Sequence, residues 1–270
     1  MKRMVGVSTK AQGLTRENFA SYRANGIDAI EVSVADVDYD AQDLPQIVAD
    51  VRAEGILPWS FHLRFWPFEE YTVALLDEAA RKKAVEYAAL WIRRAGAAGF
   101  RYAVIHPSGE PIADADREAT MLAAEASLRT LAAVAREAGI VLAVENLPRT
   151  CLGKNSAELL ALVSVDPDLR VCFDTNHLLC EDTLSFMEAV KDKLVTLHVS
   201  DYDFVNERHW LPGGGLVDWE ALMRKLDEIG YTGVFMYETG KERLPDGTER
   251  PLTAPDYRRN AEWLMGTENK

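Results

Sequence analysis

Eight short apolar runs alternate with eight helix-forming stretches along this chain, with no linker or low-complexity break between them. The runs are Met4 to Val7, Ala29 to Val34, Leu57 to His62, Tyr102 to His106, Val141 to Asn146, Val171 to Asp174, Leu194 to Val199 and Val234 to Glu238. The helical stretches between and after them are Thr15 to Asn25, Asp43 to Glu54, Asp77 to Ala98, Asp114 to Ala138, Ser156 to Val163, Thr183 to Lys191, Trp219 to Ile229 and Pro255 to Leu264. Thr15 and Ser156 are placed as N-caps, and Gly55, Gly99 and Gly139 close the helices before them. Strict alternation of short apolar strands with helices predicts a parallel sheet, and eight units predict a closed α/β (β/α)8 TIM barrel. A doubly wound open sheet is the runner-up, but the first turn, Ser8 to Gly13, lacks the G-x-G-x-x-G phosphate loop.

At 270 residues the chain has the length of one such barrel, and a single domain over 1–270 is expected. No apolar run approaches the roughly 20 residues that span a bilayer. The N-terminus enters a strand without a signal-peptide core, and Cys151, Cys172 and Cys180 are an odd count without paired spacing. A cytoplasmic protein without a disulfide framework is therefore expected, with no membrane partner. A formal net charge of −13 and the lack of a Lys/Arg-rich run argue against a nucleic-acid partner. A homo-oligomer is left open.

The chemistry concentrates at the strand ends. His62, His106, His177, His198 and His209 all lie there or in the loops that follow, together with Glu31, Glu145, Asp174 and Glu238. In a TIM barrel the C-terminal strand ends meet at one mouth, where catalysis sits. Crowded carboxylates would repel and stay partly protonated, and a divalent cation removes that conflict. Glu145, Asp174, His198 and Glu238 arrive on four consecutive strands as an O3N set. That set suits Mn²⁺, with Mg²⁺, Co²⁺ or Zn²⁺ as competitors. Phe65, Trp66, Phe68 and Trp210 are expected over the mouth, either as an apolar lid with Trp66 against substrate or as packing on the rim. Glu31 is read as a substrate contact or a structural salt bridge.

Ala143-Val144-Glu145-Asn146, Phe173-Asp174-Thr175-Asn176-His177, Leu197-His198-Val199-Ser200-Asp201, Arg208-His209-Trp210-Leu211-Pro212-Gly213-Gly214-Gly215 with Asp218-Trp219, and Tyr237-Glu238 follow one another in the chain. This ordered set resembles the sugar phosphate isomerase/epimerase superfamily of xylose isomerase-like barrels. Its relatives include ketose 3-epimerases, hydroxypyruvate isomerase, inosose dehydratase and endonuclease IV. The resemblance implies that Glu145, Asp174, His198 and Glu238 hold one metal and that the two glutamates trade the substrate proton. It also implies that His177 and Arg208 hold substrate oxygens, with His62 and His106 beside them. In the endonuclease branch the matching residues His62, His106 and Glu145 hold a second ion, and His177, Glu207 and His209 a third, although that branch has Asp in place of Glu207. The ketose 3-epimerases carry a further substrate-binding Glu where this chain has Cys151.

The expected function is a divalent-metal-dependent isomerase or epimerase of a small polyhydroxylated sugar or sugar derivative, working by proton transfer through an enediolate. Glu145 and Glu238 are the expected acid/base pair. The alternatives are an inosose-type dehydratase, an endonuclease IV-like zinc phosphodiesterase and a sugar-binding barrel without turnover. The missing Lys/Arg cluster favours a non-phosphorylated or acidic substrate.

Overall fold

A computed structural model describes residues 3–9, 13–33 and 36–266 of the chain. Lys10 to Gln12 in the first turn, Val34 at the expected end of the second strand, and the tail beyond Gly266 lie outside the described residues. The elements run β1 (Val5–Thr9), α1 (Arg16–Ala24), β2 (Ala29–Val32), α2 (Leu44–Ala53), β3 (Leu57–His62), α3 (Phe68–Tyr71), α4 (Glu78–Ala98), β4 (Tyr102–Ile105) and α5 (Arg117–Glu137). They continue with β5 (Val141–Glu145), α6 (Ser156–Ser164), β6 (Arg170–Asp174), α7 (Thr183–Val190), β7 (Leu194–His198), α8 (Trp219–Glu228), β8 (Phe235–Tyr237), β9 (Lys241–Arg243), β10 (Glu249–Pro251) and α9 (Ala254–Leu264).

Strands β1 to β8 form one parallel sheet in the order β7-β6-β5-β4-β3-β2-β1-β8. The β7–β8 seam is closed by main-chain bonds from Val199 N to Met236 O (2.8 Å) and from Glu238 N to Val199 O (3.0 Å). The molecule is thus the expected TIM barrel. Among the described residues no helix is long and apolar enough to cross a membrane.

The two-residue period of a strand decides what fills the barrel. Outward residues such as Ile30, Phe61, Ala103, Val144, Phe173, Leu197 and Phe235 pack with the helices in one large core. Inward residues stack in layers. Ala29, Trp59, Tyr102, Val234 and Met236 form one cluster, and Val104, Ala143 and Cys172 form another. Gly6 belongs to this crowded interior, where a Cβ would come within 2.6 Å of the Val234 side chain. Two residues beyond Ala29, Val104, Ala143, Cys172, Thr196 and Met236 stand Glu31, His106, Glu145, Asp174, His198 and Glu238. The alternation that buries the apolar layers therefore delivers every one of these ionisable groups to the mouth.

The helix caps follow the sequence with a few shifts. Thr15, Asp43, Asp77, Asp182 and Asp218 each accept a first-turn N–H. Asn155, not Ser156, caps α6, its side chain accepting from Glu158 N (2.9 Å). Ser156 is instead the first helical residue, its hydroxyl bonded to Glu181. The stretch expected as a helix from Asp114 opens with a 3-10 turn before α5. The β9–β10 hairpin and α3 were not expected. Trp210 Nε1 ties the hairpin to the loop after β7 by donating to Glu249 (2.6 Å). Cys151, Cys172 and Cys180 are all free thiols.

Candidate active site and metal centre

Glu145, at the end of β5, is the hub of the mouth. It is fully buried, and its two oxygens face different partners. Oε2 meets His62 Nε2 and His106 Nε2, each at 3.2 Å. Oε1 meets His198 Nδ1 at 3.0 Å and His177 Nδ1 at 3.5 Å. Burial alone would raise this carboxyl, but His198 and His106 outweigh it and hold Glu145 well below the usual range.

The four residues expected to share a cation come together: Glu145, Asp174, His198 and Glu238 each place a ligand atom within 4.8 Å of the others. Two features fit this set to a divalent ion. Asp174 is wholly buried, yet its Oδ2 has no hydrogen-bond donor. Burial, reinforced by Glu145, also raises the pKa of Asp174 against the pull of His177. Glu238 is pushed up to about 7, first by burial and then by the like charges of Glu145 and Asp174. Three carboxylates that resist ionising together, one with an orphaned oxygen, are the donor set a hard cation relieves.

His198 is aimed into this set from behind. Its Nε2 lies 3.0 Å from Glu31 Oε2, while Glu31 also accepts from Ser8 Oγ (2.8 Å) and Ser60 Oγ (2.6 Å). A proton on Nε2, held by the carboxylate, leaves Nδ1 to face Glu145 and Glu238. Glu31 therefore touches His198, a candidate ligand, and does not line the mouth cavity, which favours the salt bridge over the substrate contact. Its place two residues past interior Ala29 was the available signal.

The segment after β6 is equally constrained. Asn146 bonds both main-chain groups of Asp174, donating to its carbonyl (2.9 Å) and accepting from its N–H (2.7 Å). His177 Nδ1 donates to Asn146 O (2.8 Å), and its Nε2 faces Glu207 Oε1 at 3.1 Å. Burial opposes a charge on His177, but Asp174, Glu207 and Glu145 raise it to about 10. Glu207, despite its own burial, is lowered to about 2 by His177 and Arg149. His177, Glu207 and His209 form a second group whose ligand atoms lie within 4.8 Å, and His62, Glu145 and His198 form a third. Asn176 Oδ1 accepts from Arg208 N and His209 N and so fixes the loop after β7.

A cavity of about 250 Å³ opens over the hub, lined by His62, His106, Glu145, His177, His209 and Glu238 and roofed by Phe65 and Phe68. Phe65 stacks on His106 with centroids 4.1 Å apart. Trp66 stays half exposed and packs edge-on against Phe68, outside the lining. Arg208 is also outside it, bonded to Asp203 Oδ2 (2.8 Å) and lying over Trp210. The cationic side chain that does line the cavity is Arg149, in the left-handed region at φ 52°. Its guanidinium joins Glu110 on the loop after β4 to Glu207 (2.7 Å) and Asn206 (2.8 Å) on the loop after β7. A strained, non-glycine residue that ties two loops across a cavity was not visible in the sequence.

Comparisons with known proteins bear on the family and the fold. Residues 19–266 match the family model described as the xylose isomerase-like TIM barrel. An uncharacterized protein of Methanocaldococcus jannaschii is 28% identical over 181 residues, 64% of this chain and 62% of that protein. Fructoselysine 3-epimerase of Escherichia coli O157:H7 is 33% identical over 57 residues, 21% of each chain. The chain thus aligns with less than two thirds of either relative's length. Among solved structures, a D-tagatose 3-epimerase-like protein superposes with a TM-score of 0.81 at 20% identity, covering 98% of this chain and 97% of that one. The Escherichia coli 3-keto-D-glucoside 4-epimerase superposes with a TM-score of 0.77 at 20% identity, covering 98% and 100%.

Proposed function

Because the chain belongs to the xylose isomerase-like TIM barrel family, we propose that it is a divalent-metal-dependent epimerase or isomerase of a small, uncharged polyhydroxylated sugar. The observation that supports this most is the pairing of the buried Glu145, held low, with the partly buried Glu238, raised to about 7, across one shared donor set. Two titratable groups pushed apart by their surroundings are how one site runs acid and base chemistry at neutral pH.

Glu145, Asp174, His198 and Glu238 would hold the ion, with Mn²⁺ preferred over Mg²⁺, Co²⁺ or Zn²⁺ for three oxygens and one nitrogen. Such an ion polarises a substrate carbonyl and acidifies the neighbouring C–H. Glu145 and Glu238, in one donor set, would trade that proton. One, ionised, takes it from one face of the carbon while the other, protonated, gives its own to the opposite face, and the roles exchange in the reverse direction. His177 would offer its Nε2–H to a substrate oxygen in exchange for Glu207, with Nδ1 held by Asn146 O. Phe65 and Phe68 exclude water from above. Arg149 and Arg208 are both committed to carboxylates, so among the described residues neither guanidinium at the mouth is spare for a phosphate or carboxylate substrate. Incubation with Mn²⁺ and a panel of ketoses in D₂O should give an epimer or isomer labelled beside the carbonyl. A panel that returns every sugar unlabelled would overturn the proposal.

One observation favours a second reading. His177, Glu207 and His209 form one further group of candidate ligand atoms, His62, Glu145 and His198 form another, and His106 also touches Glu145. That arrangement suits phosphodiester hydrolysis by several zinc ions. Elemental analysis separates the two: about one ion per chain supports the epimerase, and two or three zinc ions support the hydrolase.

A further inference from the structure

A second cavity, of about 290 Å³, adjoins the mouth on the same face of the barrel, between the loops that follow β3 and β4. Phe68, Ser108 and Glu110 line both cavities, so one wall separates them. That wall is built closely: a Cβ at Gly109 would sit 2.6 Å from the Phe68 ring, so only glycine lets the loop pass behind the phenyl group. The annex is otherwise lined mainly by apolar side chains, among them Ala74, Leu75, Leu76 and Ile112. Leu76, 49% exposed, forms part of this apolar lining. Thr72 also lines the annex; it is 9% exposed, and its Oγ1 has no hydrogen-bond partner. A buried hydroxyl without a partner beside an apolar cavity marks where a ligand atom can bond. Glu69, Glu110 and Asp116 are in the lining and no Lys or Arg is, among the described residues.

We infer that the annex is a subsite for an uncharged, largely apolar substituent on the sugar, an aglycone-like group with one polar atom for Thr72 Oγ1. The inference rests on the proposed sugar chemistry of the mouth and names the class of sugar it serves. The polyhydroxylated ring occupies the mouth over Glu145 and Glu238, and the substituent passes Phe68 into the annex. Glu69 and Asp116 disfavour a phosphate or carboxylate on that arm, while Glu110 is already paired with Arg149. Phe68, shared by the two cavities, lies against the substituent, and Phe65, which lines the mouth alone, lies above the ring.

The test compares a free ketose with the same sugar carrying a phenyl group, using the full-length, Mn²⁺-loaded protein and deuterium uptake as the rate. Wild type should show a KM about tenfold or more lower for the phenyl sugar, at similar kcat. Leu76→Glu, at a half-exposed position where the fold tolerates charge, should raise the phenyl-sugar KM about tenfold and leave the free-sugar KM unchanged. Thr72→Val should weaken only substituents that carry a hydrogen-bonding atom. Equal KM values for the two sugars, or an equal effect of Leu76→Glu on both, would overturn the subsite. If neither sugar exchanges, the epimerase reading fails instead, and calorimetric titration of the phenyl sugar decides the annex. Binding weakened about tenfold by Leu76→Glu keeps it, and absent or unchanged binding removes it.

Discussion

Glu31 accepts from Ser8 and Ser60 and faces His198, so three strands hold one carboxylate behind one imidazole. Partners that orient a metal-binding histidine typically account for about 10–100-fold in metal affinity. Glu31→Gln should therefore weaken Mn²⁺ binding by roughly that factor in a competition titration, while circular dichroism stays native. Unchanged affinity would reduce Glu31 to a packing role. The strand ends that carry Glu145, Asp174, His198 and Glu238 were legible because each lies two residues beyond an interior position. The partner of Glu31 was not legible. It depends on the register shift between β2 and β3 at Ile30/Glu31, which brings Ser60 alongside. Arg149 was missed for a similar reason, since its partners lie 39 and 58 residues away on other loops.

Strand and helix periods predicted the barrel elements because each pairs an apolar face with a known cap or glycine stop. The β9–β10 hairpin escaped, since Lys241–Arg243 and Glu249–Pro251 are short and polar and carry no two-residue apolar signal. It matters to α9, whose first turn depends on Asp256. That carboxylate takes Thr253 N (2.8 Å) in a capping box and both Arg250 nitrogens (2.9 and 2.8 Å) from β10. Arg250, and then Thr253, hold its pKa well below the usual range despite burial. A depressed carboxyl contributes its stability above the ordinary Asp pKa and loses it as pH falls through and below about 4. Asp256→Ala should cost about 2 kcal/mol at pH 7 in a urea titration and less near pH 3. An equal loss at both pH values would contradict the assigned role.

At the scale of the whole molecule, the barrel gathers ionisable residues from the ends of seven strands, β2 to β8, and from the loops after β6 and β7 while the chain as a whole carries −13. Chelator-treated protein must keep Asp174 and Glu238 protonated or bear their repulsion, so a bound cation should stabilise the fold. At about 100 times its Kd, Mn²⁺ should add about 2.7 kcal/mol, and Tm should rise roughly 5–10 °C. Asp174→Ala should lose most of that rise, and a wild-type Tm indifferent to Mn²⁺ and chelator would count against the metal centre. The most direct test of the account follows the proton itself. With the first sugar found to turn over in D₂O, wild type and Glu238→Gln are compared by NMR at the carbon beside the carbonyl. The wild-type product should carry deuterium, and the exchange rate should be at least about 100-fold lower in the variant. Exchange that persists in Glu238→Gln at the wild-type rate would contradict the account.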